Sequence, residues 1–255
     1  RANNEHCAVT QKGQTGRART ADASHPWRAG GQRMRINLPV SAREVKLGEG
    51  DTIVTRTDLK GRVTLLTEMR DTMGCIMQDL GTQIDGKWGD AEYTAAIDEL
   101  QKQVTDGQIR NIKGNSYKED LINEQAWAAL GWSGDIFQIN AEEGNKWDFA
   151  LPETGGTLWS DNFVIPFTAT NKVGAEKLID FYYRPEVAAR VAAWVNYMCP
   201  VKGAQEEMAK FDPELAKSEW IFPSSETLAQ AQVFRDLSPQ EEMAFNEAFG
   251  RVIQG

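Results

Sequence analysis

The pattern of apolar and polar positions predicts alternating strands and helices from about residue 58 onward. Short apolar runs predict strands at 62–66, 126–132, 147–151 and 157–166. Helical spacing and capping residues predict helices at 68–77, 90–106, 118–125, 135–143, 172–183 and 185–197, and a last helix from 239. This alternation is typical of the α/β class.

Several helix ends carry recognisable signals. We expect Thr67 and Asp90 to cap the first two helices, and Gly107 to end the second. Pro185 suits a first helical turn. Ser238 and Glu241 have the spacing of a capping box, with a proline at the first helical position.

The first 57 residues lack any helical or strand period, and we expect an atypical, irregular leader there. Residues 1–50 hold nine Lys or Arg and four Asp or Glu, a net charge of +5. The remaining 19 of the 28 basic and 33 of the 37 acidic residues give −14 for the rest. The leader has no apolar stretch of the kind that a secretion signal needs.

Composition narrows the class of function. The 255 residues are 41% apolar, which is ordinary for a globular protein. The net charge of −9 disfavours a nucleic-acid partner, because phosphate binding needs a basic face. No run of 18 apolar residues is present, so no transmembrane helix is predicted.

Residues for covalent or metal chemistry are scarce. Both histidines, His6 and His25, precede residue 57, which excludes histidine-based nucleophilic or metal sites from the folded part. Glycine-rich phosphate loops and CxxC pairs are also missing. Cys75 and Cys199 are expected to be inert thiols, and their pairing stays open. We therefore predict no catalytic residue, no metal site and no cofactor.

Five residues suit an elongated organic cation: Glu68, Asp71, Trp132, Trp159 and Asp161. Carboxylates can hold ammonium groups, and indole faces can lie along the methylenes between them. Each residue also has a plain structural explanation. Acids in a first helical turn offset the helix dipole, and tryptophans commonly fill cores.

Asp161 is harder to explain structurally. It follows Trp159 by two residues in a predicted strand, so both side chains project from one face. A carboxylate glycosidase is disfavoured, because Glu68 and Asp71 share one turn of one helix. Hydrolases place their two carboxyl groups on opposite sides of the scissile bond.

Five segments carry a family resemblance: KGRVTLLTEMRDTMG, AALGWSGD, GGTLWSDNFVIP, NKVGAEKLIDFYYRPEVAARVAAWVNYMCPVKGA and WIFPSSETL. They resemble the solute-binding subunits of polyamine (spermidine/putrescine) ABC importers. The resemblance covers about residues 58–255. It implies a two-lobe α/β fold of the periplasmic-binding-protein type II class. It implies ligand contacts by Glu68, Asp71, Trp132, Trp159, Asp161 and Tyr197. A further polar contact of the family falls near Phe234, where this chain departs from the pattern.

The resemblance also implies partners and a location. We expect a polyamine ligand, an ABC permease with its ATPase as partner, and a monomer. The expected location is the periplasm or the extracellular face of the membrane. Residues 58–161 would form the second lobe, 162–203 would return to the first lobe, and 204–255 would pack on the second. The first lobe looks truncated, which predicts weak or undetectable binding. The alternatives are another amine or a sugar as ligand, a carboxylate-dependent glycoside hydrolase, or a non-binding fragment.

Overall fold

The computed structural model describes residues 2–11, 57–144, 146–152 and 154–254. In this part of the chain the strands form one seven-stranded mixed sheet. The strands are β1 (Ala2–Gln11), β2 (Val63–Leu66), β3 (Ile109–Lys113), β4 (Ala128–Trp132), β5 (Trp147–Ala150), β6 (Gly156–Asp161) and β7 (Ala231–Val233). The order is β3-β2-β4-β1-β6-β7, and β5 also pairs with β1.

Strand direction decides which residues share an edge of the sheet. β2 is parallel to β3 and β4, whereas β1 is antiparallel to β4 and to β6. β6 therefore runs in the same direction as β2 and β4. The carboxyl ends of these three strands lie at one edge, which is where ligands bind in open α/β sheets.

Helices and strands are interspersed along the chain, with several consecutive helices after β6. The helices are α1 (Met69–Asp79), α2 (Asp90–Thr105), α3 (Tyr117–Ile122), α4 (Ser133–Glu143), α5 (Lys172–Tyr182), α6 (Pro185–Val195), α7 (Ala204–Met208), α8 (Ser225–Leu228) and α9 (Pro239–Gln254). The α/β class is confirmed. Short 3-10 helices span Thr57–Leu59 and Leu215–Lys217.

The expectation that residues 1–50 are irregular is wrong for β1. This strand pairs with β4 from His6 to Thr10 and with β6 from Ala2 to His6. Pairing on both sides supplies the backbone hydrogen bonds that define the strand, whatever its own weak pattern. The rest of the predicted leader, residue 1 and residues 12–56, lies outside the described residues.

The predicted strand at 157–166 is too long. β6 ends at Asp161, whose backbone partner Ala2 is the first residue of β1. Phe163 and Val164 follow without a strand partner in the described part of the chain, and both are exposed. Strands β3 and β7 are short and were not predicted.

Two predicted caps also differ. The N-cap of α1 is Glu68 rather than Thr67, whose hydroxyl donates to the Glu68 carboxylate at 3.2 Å. The N-cap of α2 is Gly89, whose backbone N–H donates to Glu92. The capping box at Ser238 is confirmed, with reciprocal bonds of 2.8 and 3.2 Å to Glu241.

The buried apolar residues form two clusters. The larger one packs α1, α2, α3, α4 and α9 on the sheet, with Tyr93 and Phe245 stacked at 4.0 Å. The smaller one joins α6 to α7 through Ala189, Ala192 and Met208. The assignment of 204–255 to the second lobe stays a prediction. Residues 204–221 pack with α6, because Ala204 and Ile221 belong to its cluster, and α9 packs on α2.

Candidate functional site

A cavity of about 480 Å³ lies at the carboxyl ends of β4 and β6. Trp132 ends β4, and Trp159 and Asp161 end β6, so strand direction brings all three to this edge. Helix α6 and the segment after it form an apolar wall that includes Val191, Ala192, Val195 and Met198. Polar groups therefore concentrate on the sheet side of the cavity.

Asp161 and Trp159 both line this cavity, as their two-residue spacing predicts. The Asp161 side chain is exposed and lies near two tyrosines. Its charge helps to raise the pKa of Tyr182 and Tyr197, although burial is the main cause for both. Among the residues whose side chains are described, Asp161 has no ion-pair partner. A cationic ligand could therefore bind this carboxylate without displacing a cation of the described side chains.

The GWSGD segment places Trp132 by close packing. A β-carbon on Gly131 would lie 2.8 Å from the ring of Tyr117. The Trp132 backbone N–H donates to the Tyr117 hydroxyl at 3.0 Å, and the two rings meet edge to face at 5.8 Å. Tyr117 is fully buried, so its ring and its hydroxyl hold the end of β4 in place.

Asp135 joins the two sides of the cavity, and the sequence reasoning missed it. The hydroxyl of Tyr117 donates to its Oδ2 at 3.1 Å, and the hydroxyl of Tyr197 donates to its Oδ1 at 3.4 Å. Lys118 Nζ lies 3.3 Å from the same Oδ1. Burial and then the Asp135 charge raise the pKa of both tyrosines, so both remain protonated donors.

A signal for Asp135 was present in the sequence. It stands three residues after Trp132 in the same GWSGD segment that placed the tryptophan. Tyr197, predicted only from family resemblance, also lines the cavity. Tyr182 and Asn115 line it as well and were not predicted.

Glu68 and Asp71 lie at the same edge but are not among the residues lining this cavity in the described part of the chain. Glu68 is exposed at the start of α1, next to Gly114. Asp71 is 8% exposed, and burial, reinforced by Glu68, raises its pKa to about 8 against the opposing effect of Arg70. The structure thus brings four of the six predicted residues onto one cavity and leaves two beside it.

Helix α1 points its first turn toward the end of β6. At Gly74 a β-carbon would lie 2.6 Å from Thr157 Cγ2, so the middle of α1 packs on the start of β6. The helix begins where β2 ends and runs back along the sheet. Asp71, one turn before Gly74, therefore lies toward the Trp159 end of β6.

Other candidate chemistry finds no support in the described residues. There, no group of three or more His, Cys, Asp or Glu is placed to hold a metal ion. Cys75 and Cys199 are free thiols, and burial raises the pKa of both. Phe234 is buried and packs edge to face on Trp88 at 5.1 Å, which makes it a core residue. No helix of the described segments is long and apolar enough to cross a membrane.

Comparison with known families decides the class. The sequence pattern of the family described as "Bacterial extracellular solute-binding protein" matches residues 50–221, more than half of the chain. The chain belongs to this family. The predicted α/β fold of solute-binding proteins is confirmed.

Two curated relatives are named for the amines that they bind. The chain is 30% identical over 185 residues to the spermidine/putrescine-binding periplasmic protein of Escherichia coli (strain K12), a match that covers 71% of this chain and 50% of that protein. It is 25% identical over 211 residues to the putrescine/cadaverine-binding protein of Pseudomonas aeruginosa, covering 76% and 54%. The chain spans about half the length of the curated relatives it matches.

Solved structures of binding proteins share the fold. The spermidine/putrescine ABC transporter substrate-binding protein of Streptococcus pneumoniae superposes with a TM-score of 0.69 at 19% identity, covering 99% of this chain and 67% of that one. A binding protein from A. tumefaciens in complex with glucopine superposes with a TM-score of 0.66 at 14% identity, covering 99% and 69%. Such identities establish the fold and leave the ligand to be argued from the site.

Proposed function

We propose that this chain is the solute-binding subunit of an ABC importer and binds a polyamine such as putrescine or spermidine at the edge of the sheet. The observation that carries the proposal is the Asp161 carboxylate in a cavity also lined by Trp132, Trp159 and Tyr197. A carboxylate with no ion pair among the described side chains attracts an ammonium group, and the aromatic faces suit a methylene chain.

The spacing of the acids supports an elongated ligand. Glu68 and Asp71 follow β2, whereas Asp161 ends β6, and β4 and β1 lie between these strands. At a strand spacing of about 4.8 Å, the axes of β2 and β6 are roughly 14 Å apart. An extended cation with an amine at each end can reach both groups, whereas a compact cation can reach one.

The acid pair after β2 is proposed as the second ammonium site. Glu68 is exposed at the edge, and Asp71 lies behind it on the first turn of α1. A fourth acid, Asp135, belongs to the cavity wall, but its oxygens already accept two tyrosine hydroxyls and face Lys118.

The lobe assignment is part of the same proposal. Residues 58–161 would form the second lobe, and 162–203 would return to the first lobe. Phe167 is 100% exposed and Trp194 is 87% exposed, which supports this assignment because large exposed apolar groups mark surfaces that bind other polypeptide.

The proposed partners follow from the importer role. A permease with its ATPase would receive the ligand from a monomeric binding protein in the periplasm or at the outer face of the membrane. The curated relatives named as periplasmic binding proteins support this location.

Isothermal titration calorimetry tests the function. The chain is titrated with putrescine, spermidine and a neutral disaccharide, at protein concentrations that detect a Kd of about 1 mM. Heat with the amines and none with the sugar is expected. Asp161→Asn should abolish most of that heat, whereas Asp180→Asn removes an equal charge from the exposed face of α5 and should leave it unchanged.

The competing ligands give different results in the same titrations. Binding of the sugar alone would replace the polyamine proposal with a sugar site built on the two indole rings. Binding of neither ligand class would mean that this chain is a non-binding fragment. The A. tumefaciens protein in complex with glucopine illustrates that one fold accepts different ligands.

A further inference from the structure

Lys118 forms an ion pair with an acid of the cavity wall. It lies on α3, outside the residues that line the cavity, and its Nζ is 3.3 Å from Asp135 Oδ1. The Lys118 side chain is 26% exposed and that of Asp135 is 13% exposed. Since both are largely withdrawn from water, their interaction is screened less than that of a surface pair.

The other contacts of Asp135 hold it in a fixed orientation. Tyr117 donates to Oδ2 and Tyr197 donates to Oδ1, the oxygen that Lys118 also faces. Tyr117 is fully buried and also binds the backbone N–H of Trp132. Asp135 therefore cannot turn away from Lys118 without breaking these two hydrogen bonds.

The pair sets the charge that a ligand meets. Asp135, which follows β4, and Asp161, which ends β6, both line the cavity at the carboxyl ends of these strands. Lys118 cancels one of the two negative charges there. A ligand ammonium at this end meets a net charge of about −1 instead of −2.

We propose that Lys118 is a specificity-determining residue, an internal counterion that competes with the ligand ammonium for Asp135 and so limits the affinity of the cavity for cations. The inference rests on the proposed function, because it concerns the same amine site. Lys118 acts through Asp135 and has no contact with the cavity itself. It lowers the affinity for amines while leaving neutral ligands unaffected.

The test compares Lys118→Met, Lys118→Arg and Lys102→Met by calorimetry with putrescine, spermidine and a monoamine of similar length. Lys118→Met keeps most of the side-chain volume and removes the charge. It should tighten amine binding about fivefold at low salt, and the gain should shrink as salt is added. Lys118→Arg keeps the charge and should bind like the wild type.

Lys102→Met is the matched control. Lys102 is 63% exposed on α2 and pairs with Glu99, away from the cavity, so its loss changes the net charge equally. No change in affinity is expected. Thermal unfolding of each variant shows whether the fold is retained.

The possible results separate the two proposals. Wild-type binding that Lys118→Met leaves unchanged or weakens overturns this inference alone, because a purely structural lysine would give that result. Tighter amine binding by Lys118→Met than by the wild type supports the inference. Amine binding by Lys118→Met when the wild type shows none supports it as well. Failure of every variant to bind any amine overturns the proposed function together with the inference.

Discussion

Gly134 leaves the space that the ring of Tyr197 occupies. A β-carbon at position 134 would lie 2.6 Å from Tyr197 Cε2 and 2.7 Å from the carbonyl oxygen of Val195. This contact joins the start of α4 to the segment that follows α6, so it fixes two walls of the cavity relative to each other.

Replacing Gly134 with alanine should therefore damage the cavity. The added methyl group must displace either the Tyr197 ring or the backbone at Val195, and we expect a loss of about 1–3 kcal/mol of unfolding free energy. Putrescine affinity should fall as well. Gly89→Ala is the control, since a β-carbon there meets no atom within 4 Å. Equal behaviour of the two variants in denaturant unfolding would contradict the packing argument.

Charge should contribute more to binding than stacking does. Asp161→Asn removes one partner of a charge-assisted contact and should cost roughly 2–5 kcal/mol of putrescine binding. Trp159→Phe keeps most of the apolar contact and part of the cation–π attraction, so the loss should be about 0.5–1.5 kcal/mol. Calorimetry on both variants checks the order. Equal losses would identify stacking as the main determinant.

The sequence predicted the elements that its own periodicity defines. β2, β4, β5 and the helices from α1 to α6 were found because their apolar residues recur with the period of the element. The end of β6 and the existence of β1 depend on pairing between Ala2 and Asp161, which lie far apart in the chain. No local pattern carries that information.

The sequence also predicted part of the candidate site. Trp159 and Asp161 could be placed together because residues two apart in a strand face the same side, and Trp132 because it ends a predicted strand. The GWSGD segment marked the position of Asp135, but its role depends on hydroxyl groups donated by Tyr117 and Tyr197 from other elements. That Asp71 would be buried could not be read from its position in a first helical turn.

The ion pair between the half-buried Lys113 and the buried Asp120 should stabilise the fold. Asp120 is 2% exposed and accepts from Lys113 at 2.7 Å, from Asn111 at 2.9 Å and from Thr64 at 3.0 Å. Lys113→Met leaves a buried charge without its ion partner, and we expect a loss of about 3–5 kcal/mol in urea unfolding. Lys217→Met, which breaks an exposed pair with Glu214, should cost under about 1 kcal/mol.

Asp120 also gives a pH dependence of known sign. Although burial opposes it, hydrogen bonds from Lys113, Asn111 and Thr64 lower the pKa of its carboxyl in the folded state. The stability it contributes is therefore present above its ordinary pKa and is lost as pH falls through the lowered value. Asp120→Asn should have a lower free energy of unfolding than the wild type at pH 6. The difference between the two proteins should become smaller as the pH falls below 4.

Asp71 should act on stability in the opposite direction. Burial raises its pKa from 3.8 to about 8, so the protonated form stabilises the folded state. That contribution is full below pH 3.8 and is lost progressively as pH rises to about 8. Asp71→Asn should thus gain roughly 2–5 kcal/mol over the wild type between pH 5 and pH 9, measured by denaturant unfolding.

Asp90→Asn provides the comparison for that series. Asp90 is also an acid in a first helical turn, but it is exposed. Its replacement should cost under about 1 kcal/mol through the helix dipole, without a trend between pH 5 and pH 9. If the wild type becomes more stable relative to Asp71→Asn as the pH rises, the proposal of a buried, protonated Asp71 carboxyl is contradicted.

Polyamine binding should release a proton from Asp71 if the second ammonium group reaches it. With a pKa of about 8, the carboxyl is largely protonated at pH 7, and an approaching cation favours the ionised form. The observed binding enthalpy should then differ between phosphate and Tris buffers, because each absorbs the proton with a different heat. Asp71→Asn should remove that difference while retaining the contact with Asp161. A wild-type enthalpy that is the same in both buffers would place the second ammonium group away from Asp71, at Glu68 or in solvent.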